Sequence, residues 1–273
     1  METVTCRIGN LSEFFSFLED NILKKKGKEV FFRGQASTSW NLEPSIFRHK
    51  DLDEIELLKI ADTDAWQYLN SCKNAYEKLI LLQHYGLPTR LLDVTFNPLI
   101  ALYFACNEHP NDDARLFWGF SKGRTKEKAY IKSMELLFES SYWEKESMDK
   151  SVFENRYSKK SDAFYEPCLI HAPHNNERIH SQHGAFLAPP MAEECDDNKV
   201  KPVKKYTFDI AKFQGGSVVV SGNCKAQILE ELDKIGINKG TIFPGFSSLL
   251  ETIVQRAKQK KLEITGHQNT DRI

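Results

Sequence analysis

The sequence predicts an α+β fold, a single globular domain in which a small mixed or antiparallel sheet is flanked by helices. Three observations lead there. Runs such as "VFFRGQ" and "ARLFWGFS" are too continuously apolar to be half-exposed strands. Segments of helical period open the chain, fill its middle and close it. No internal repeat or low-complexity linker divides the 273 residues, a length that can bury a full core.

Taken in order, "NLSEFFSFLEDNILKKKG" places Leu11, Phe14, Phe15, Leu18 and Ile22 on one side of a helix. Asn10 or Ser12 can cap it, and Gly27 can end it after a lysine-rich last turn. Residues 1–27 thus read as a helix packed on a domain spanning 28–262, with 263–273 as a flexible tail. The strand "KEVFFRGQ" follows, then the polar loop "ASTSWNLEPS" and two helices between Asp51 and Leu82. Asn97-Pro98 has the form of an N-cap and first-turn proline opening the helix "PLIALYFACNEH". "ARLFWGFS" is a buried strand, and 122–165 mixes helix and loop. "GAFLA" (184–188), "KKYTFDI" (204–210) and "SVVVS" (217–221) are strand candidates. "NCKAQILEELDKIGI" is an amphipathic helix with Ile228, Leu229 and Leu232 inward, and "PGFSSLLETIVQRAKQKK" is a final helix.

Composition narrows the function classes. Lys plus Arg number 37 against 38 Asp plus Glu, so the electrostatic footprint of a dedicated nucleic-acid binder is absent. No apolar run approaches the ~20 residues that cross a bilayer. The first residues lack the basic, greasy and small-residue succession of a secretory signal. Six cysteines stand singly, without a C-x-x-C or a His pair at ligand spacing, which argues for reduced thiols in a cytoplasm and no metal site.

Three motifs concentrate polar side chains beside core residues. In "FFRGQ", Arg33 at the end of a buried strand offers a fork of donors to a phosphate or carboxylate. Gly34 lets a ligand or a backbone approach closely, and Gln35 follows. The alternative is an internal ion pair between Arg33 and Asp93. In "LLQHYGLPTRLLD", leucines anchor a tight loop that carries His84, Thr89 and Arg90. His84 is a candidate base or hydrogen-bond donor, or else a satisfied core histidine. Arg90 and Asp93 can also bridge one turn. In "NERIHSQHGAFLAPP", Arg178 and Gln182 lie one helical turn apart and can face one cavity. Gln182 both donates and accepts, which suits base or amide recognition. No phosphate loop, zinc-protease helix, nucleophile elbow or dinucleotide fingerprint is present.

These stretches together, "FFRGQASTSWNLEPSIFR", "LLQHYGLPTRLLDVTFNPLIALYFA" and "RIHSQHGAF", closely resemble the FRG domain family over Val30 to Phe186. The family is bacterial and phage-associated and is sometimes found near mobile-element and defence genes. A more distant similarity, to arginine-type mono-ADP-ribosyltransferases, implies a corresponding fold and NAD as substrate. It implies Arg33 on the pyrophosphate, Gln182 at the first acidic or glutamine position, and Gly184 where the catalytic glutamate belongs. Another acid, Asp93 or Glu177, would then have to substitute, or the domain binds a nucleotide without transferring anything.

The enzyme so implied carries out ADP-ribosyl transfer or NAD glycohydrolysis as a toxin or antiphage effector. Arg33 and Arg90 would hold phosphates, His84 or Tyr103 would lie near the ribose, and Gln182 would contact the leaving base or the nucleophile. The alternative is a non-catalytic module that senses a nucleotide or docks a protein partner.

Overall fold

The computed structural model describes residues 4–25, 27–121, 127–138, 147–157, 164–172, 177–195 and 197–245. The chain begins with strand β1 (Val4–Ile8), helix α1 (Leu11–Leu18) and β2 (Val30–Gln35). Four helices follow: α2 (Ser45–Arg48), α3 (Glu54–Asp64), α4 (Trp66–Leu69) and α5 (Ala75–His84). Next come β3 (Leu92–Thr95), α6 (Pro98–Cys106), β4 (Ala114–Phe120), α7 (Glu127–Ser133), β5 (Met148–Asp149) and α8 (Lys150–Tyr157). The last third carries β6 (Cys168–His171), α9 (Glu177–Ser181), β7 (Gly184–Ala188), β8 (Ala192–Cys195) and β9 (Lys199–Pro202). It ends with β10 (Gly216–Val220), α10 (Lys225–Lys234) and α11 (Lys239–Ile242).

The α+β class holds. Seven strands form one mixed sheet in the order β1-β10-β4-β2-β3-β7-β6, and β5, β9 and β8 form a small second sheet. In the large sheet β1 and β10 pair in parallel and the other neighbours are antiparallel. The sheet is wider than its sequence signals suggest, because β1, β3 and β6 are each four or five residues long. Runs that short leave little periodicity to read.

The continuous apolar character of β2 has a direct cause. Successive side chains on a strand point to opposite faces, and both faces of this sheet are covered. Phe31 enters a cluster with Phe117, Phe208 and Phe213, meeting the Phe213 ring edge-on at 5.3 Å. Phe32 enters a different cluster, with Ile100 and Ala101 of α6 and Leu11 and Phe14 of α1.

Asn10, not Ser12, caps α1, its side chain accepting from Glu13 N at 2.9 Å. Phe17 is buried and Phe15 is 49% exposed, so the inward stripe of α1 is displaced from the expected one. Asn97 caps α6 as its sequence predicts, accepting from Leu99 N at 2.9 Å ahead of Pro98. Residues 204–210 form no strand. Tyr206 and Phe208 pack against the sheet, and Phe208 N donates to Leu42 O at 2.7 Å, but this alternating apolar pattern has no ladder partner among the described residues. Within 122–165 the described part has a core role, since Tyr130, Leu136, Leu137, Phe153 and Phe164 are fully buried. The final helix predicted from residue 244 and the tail lie, from 246 onward, outside the described residues. No helix among the described residues is long and apolar enough to cross a membrane.

Candidate functional site

Two strands part at the centre of the sheet. β2 meets β3 at one register pair, Phe32 with Thr95, while it follows β4 from Val30 as far as Gln35 opposite Arg115. Over this parting lies a cleft of about 300 Å³, bounded by the end of α5, one face of α6 and the helix α9.

Each wall is fixed locally. Helix α5 ends in a Schellman motif: Gly86 N donates to Gln83 O at 3.0 Å and Leu87 N to Leu82 O at 3.0 Å. Gly86 supplies the positive φ of +96° that this ending requires, and the last turn thereby presents Gln83 and His84 to the cleft. The α9 side is tied down by Thr95, whose hydroxyl donates to Gln182 O at 2.7 Å. On the opposite rim the Lys225 ammonium donates to Ala36 O at 2.7 Å, Glu108 O at 3.0 Å and His109 O at 2.9 Å. Ala36 and Glu108 both line the cleft.

Most of the residues singled out in the sequence meet here. Arg33, Gly34 and Gln35 arrive from β2, and His84 from α5. Asp93 arrives from β3, and Arg178 and Gln182 from the α9 segment. Three of the expected residues are not among the lining. Thr89 is fully buried, and its hydroxyl bonds Gln83 Oε1 and accepts from Leu91 N at 3.1 Å. Tyr103 is buried on α6 with its phenol pushed up by burial.

Arg90 is engaged by Glu54, an acid that the sequence reading did not single out. Its Nε lies 2.9 Å and its Nη2 2.6 Å from Glu54 Oε2, and its backbone N also donates to Glu54 Oε1 at 3.2 Å. Burial alone would lower the guanidinium, but the Glu54 carboxylate raises it. Arg90 therefore ties down the fold where a phosphate contact was expected of it.

The Arg33–Asp93 and Arg90–Asp93 ion pairs entertained from the sequence do not form. Arg33 Nη1 donates to the main-chain oxygen of Asp93 at 2.5 Å, while the Asp93 carboxylate takes Gln83 Nε2 at 2.9 Å. No carboxylate among the described residues forms an ion pair with Arg33, and its Nε, out of contact with solvent, has no hydrogen-bond partner. Burial pulls this guanidinium below its usual range, the Asp93 charge opposes that, and Arg48 adds to it. Gln182 Nε2 and Gln35 Oε1 are likewise buried without partners. Buried polar atoms are nearly always satisfied, and three of those without a partner belong to residues that line this one cleft.

Gly34 has a different role from the one a ligand contact would give it. A Cβ there would lie 1.9 Å from Ala101 O and 2.6 Å from Ala105 N. What the glycine admits is the backbone of α6. At Gly184 a Cβ would meet Ile179 Cγ2 at 3.1 Å and Ile179 O at 3.3 Å, so α9 crowds any side chain placed at this position. The acids lining the cleft are Asp93 and Glu108; Glu177 is exposed and not among the lining. Apolar surface comes from Trp40 and Phe104, both missed in the sequence, where an aromatic beside core residues carries no separate signal.

Burial, and then the nearby Arg178 charge, lower the His84 pKa from its ordinary 6.5. His84 is thus neutral at pH 7, free to donate with one ring nitrogen and accept with the other. Its NMR titration midpoint is expected below 6.5 and should rise in Arg178→Gln, because removing a positive neighbour favours the protonated ring. An unchanged midpoint in that variant would rule out the electrostatic contact.

An open mixed sheet whose parted strands hold a guanidinium under a cleft defines an α+β protein with a pocket of mixed charge and partly apolar walls. The FRG domain model matches residues 28–114, and the chain carries an FRG domain there. The match takes in Arg33, Gly34, Gln35, His84 and Asp93 and ends before Arg178 and Gln182. Neither the curated proteins nor the solved structures contain a match to the chain.

Proposed function

We propose that the cleft of this FRG domain binds a phosphorylated ribonucleotide of the NAD type, with Arg33 on a phosphate. The observation that carries the reading is the Arg33 guanidinium, which faces no ion-paired carboxylate among the described residues and keeps an unused Nε donor. A fork of N–H groups in this state matches a phosphate oxygen pair. Asp93, beside it in the same cleft, accepts from ribose hydroxyls. The unpartnered Gln182 Nε2 and Gln35 Oε1 supply one donor and one acceptor to an amide or base edge. Trp40 and Phe104 give the flat part of the ligand an apolar surface.

Thermal-shift measurements with NAD, ADP-ribose and ATP test this. A ligand present at a hundred times its Kd stabilises by about 2.7 kcal/mol, a shift that Arg33→Ala should remove. The reading is wrong if none of the three ligands raises the melting temperature, or if Arg33→Ala retains the shift.

Binding alone is the function the geometry supports best, because Gly184 offers no carboxylate and Ile179 crowds the space one would need. Turnover of NAD, as glycohydrolysis or ADP-ribosyl transfer in a toxin or defence effector, would have to use Asp93 on the ribose. Nicotinamide accumulating on long incubation with NAD, and abolished in Asp93→Asn, would move the protein into that class.

A further inference from the structure

Gln83 stands between two groups whose arrangement decides what Arg33 can do. Thr89 Oγ1 accepts from Leu91 N at 3.1 Å, so its single proton goes to Gln83 Oε1. The carboxamide is thereby oriented, with its NH2 group toward Asp93 Oδ1 at 2.9 Å. Asp93 thus presents two different faces. Its main-chain oxygen receives the guanidinium at 2.5 Å, and its carboxylate is drawn aside to the amide. Deprived of that amide, a carboxylate on the residue the guanidinium already touches has a stronger partner available, since arginine–carboxylate forks exceed neutral hydrogen bonds.

We propose that Gln83, oriented by Thr89, is a positioning residue that holds the Asp93 carboxylate off Arg33 and so keeps the guanidinium charge available to an anionic ligand. The inference rests on the reading that Arg33 takes the ligand's phosphate. It adds that openness of the site is an arranged property, maintained by a neutral side chain that touches no phosphate itself.

Gln83→Met tests it with little threat to the fold, because methionine is unbranched, similar in length and a good helix former. Two readouts are taken on the wild type, Q83M, D93N and the double variant. In calorimetric titration with ADP-ribose, Q83M is expected to bind about ten- to a hundredfold more weakly, the worth of one charge-assisted contact. The double variant is expected to bind as D93N does, because an asparagine at 93 has no charge with which to neutralise Arg33. Without ligand, phenylglyoxal modification of Arg33, followed by peptide mass spectrometry, should slow about tenfold in Q83M and recover in the double variant. A carboxylate partner raises the guanidinium pKa, and one unit means a tenfold smaller reactive fraction.

Equal modification of Arg33 in the wild type and Q83M overturns the proposal, as does a double variant whose affinity loss is the sum of the two single losses. Slowed and rescued modification in a protein that never binds ADP-ribose would uphold the Gln83 role and overturn the nucleotide reading instead.

Discussion

Glu54→Ala is expected to cost about 3–5 kcal/mol of unfolding free energy, the usual effect of stripping one partner from a buried ion pair. Arg90 is 1% exposed and Glu54 8%, so the guanidinium left behind would be a desolvated charge without a carboxylate partner, held by neutral groups such as the Tyr130 hydroxyl, Met191 Sδ at 3.4 Å and Val203 O at 3.5 Å. Urea denaturation monitored by circular dichroism measures the loss. The double variant Glu54→Leu with Arg90→Met should recover most of it, since apolar residues of similar volume often replace a buried pair at little cost. A single-variant loss below about 1 kcal/mol, within the range of surface pairs, would mean that this bridge does not hold the loop.

Gly34→Ala is expected to destabilise by about 3 kcal/mol or more, the upper end for forcing atoms into a filled space. The obstruction is Ala101 O at 1.9 Å, a main-chain atom inside α6 that cannot rotate away. Gly86→Ala provides the contrast. Nothing lies within 4 Å of its added Cβ, and the sole difficulty is a φ of +96°, worth about 1 kcal/mol. Denaturation curves of the two variants separate steric exclusion from backbone conformation. Equal losses would show that α6 can retreat from β2.

The segment around "LLQHYGLPTRLLD" posed a choice between polar residues that tie down a buried corner and polar residues that line a pocket. The structure answers with a division. Thr89 and Arg90 are buried and internally bonded, while His84 and Asp93 line the cleft. Spacing along the chain could not separate them, because the division depends on distant partners: Glu54, 36 positions before Arg90, and Ser45, whose Oγ accepts from Thr89 N at 3.1 Å. Glu54 itself lies in an acidic helix start where its neighbours are ordinary capping or surface acids. Arg33 and the Arg178–Gln182 pair were legible because each follows or precedes a strand or turn that fixes its direction. Gln83 was not, since a glutamine ending an apolar helix looks like an exposed residue until its partners are placed. The strands β3 and β6 escaped notice for a related reason: with four residues each, their assignment comes from pairing with β7.

The ammonium of Lys225 has a consequence for how changes elsewhere in the chain should be judged. It joins the stretch after β2 and the stretch after α6 to the first residue of α10, so three separate lengths of sequence share a single fastening. Neutralising it would leave three peptide oxygens competing for water in a place sheltered from water, at the edge of the cleft. Acylation of this one amine, or drift in the helix that carries it, would therefore alter the mouth of the cleft through Ala36 and Glu108, although Lys225 itself is not part of the lining.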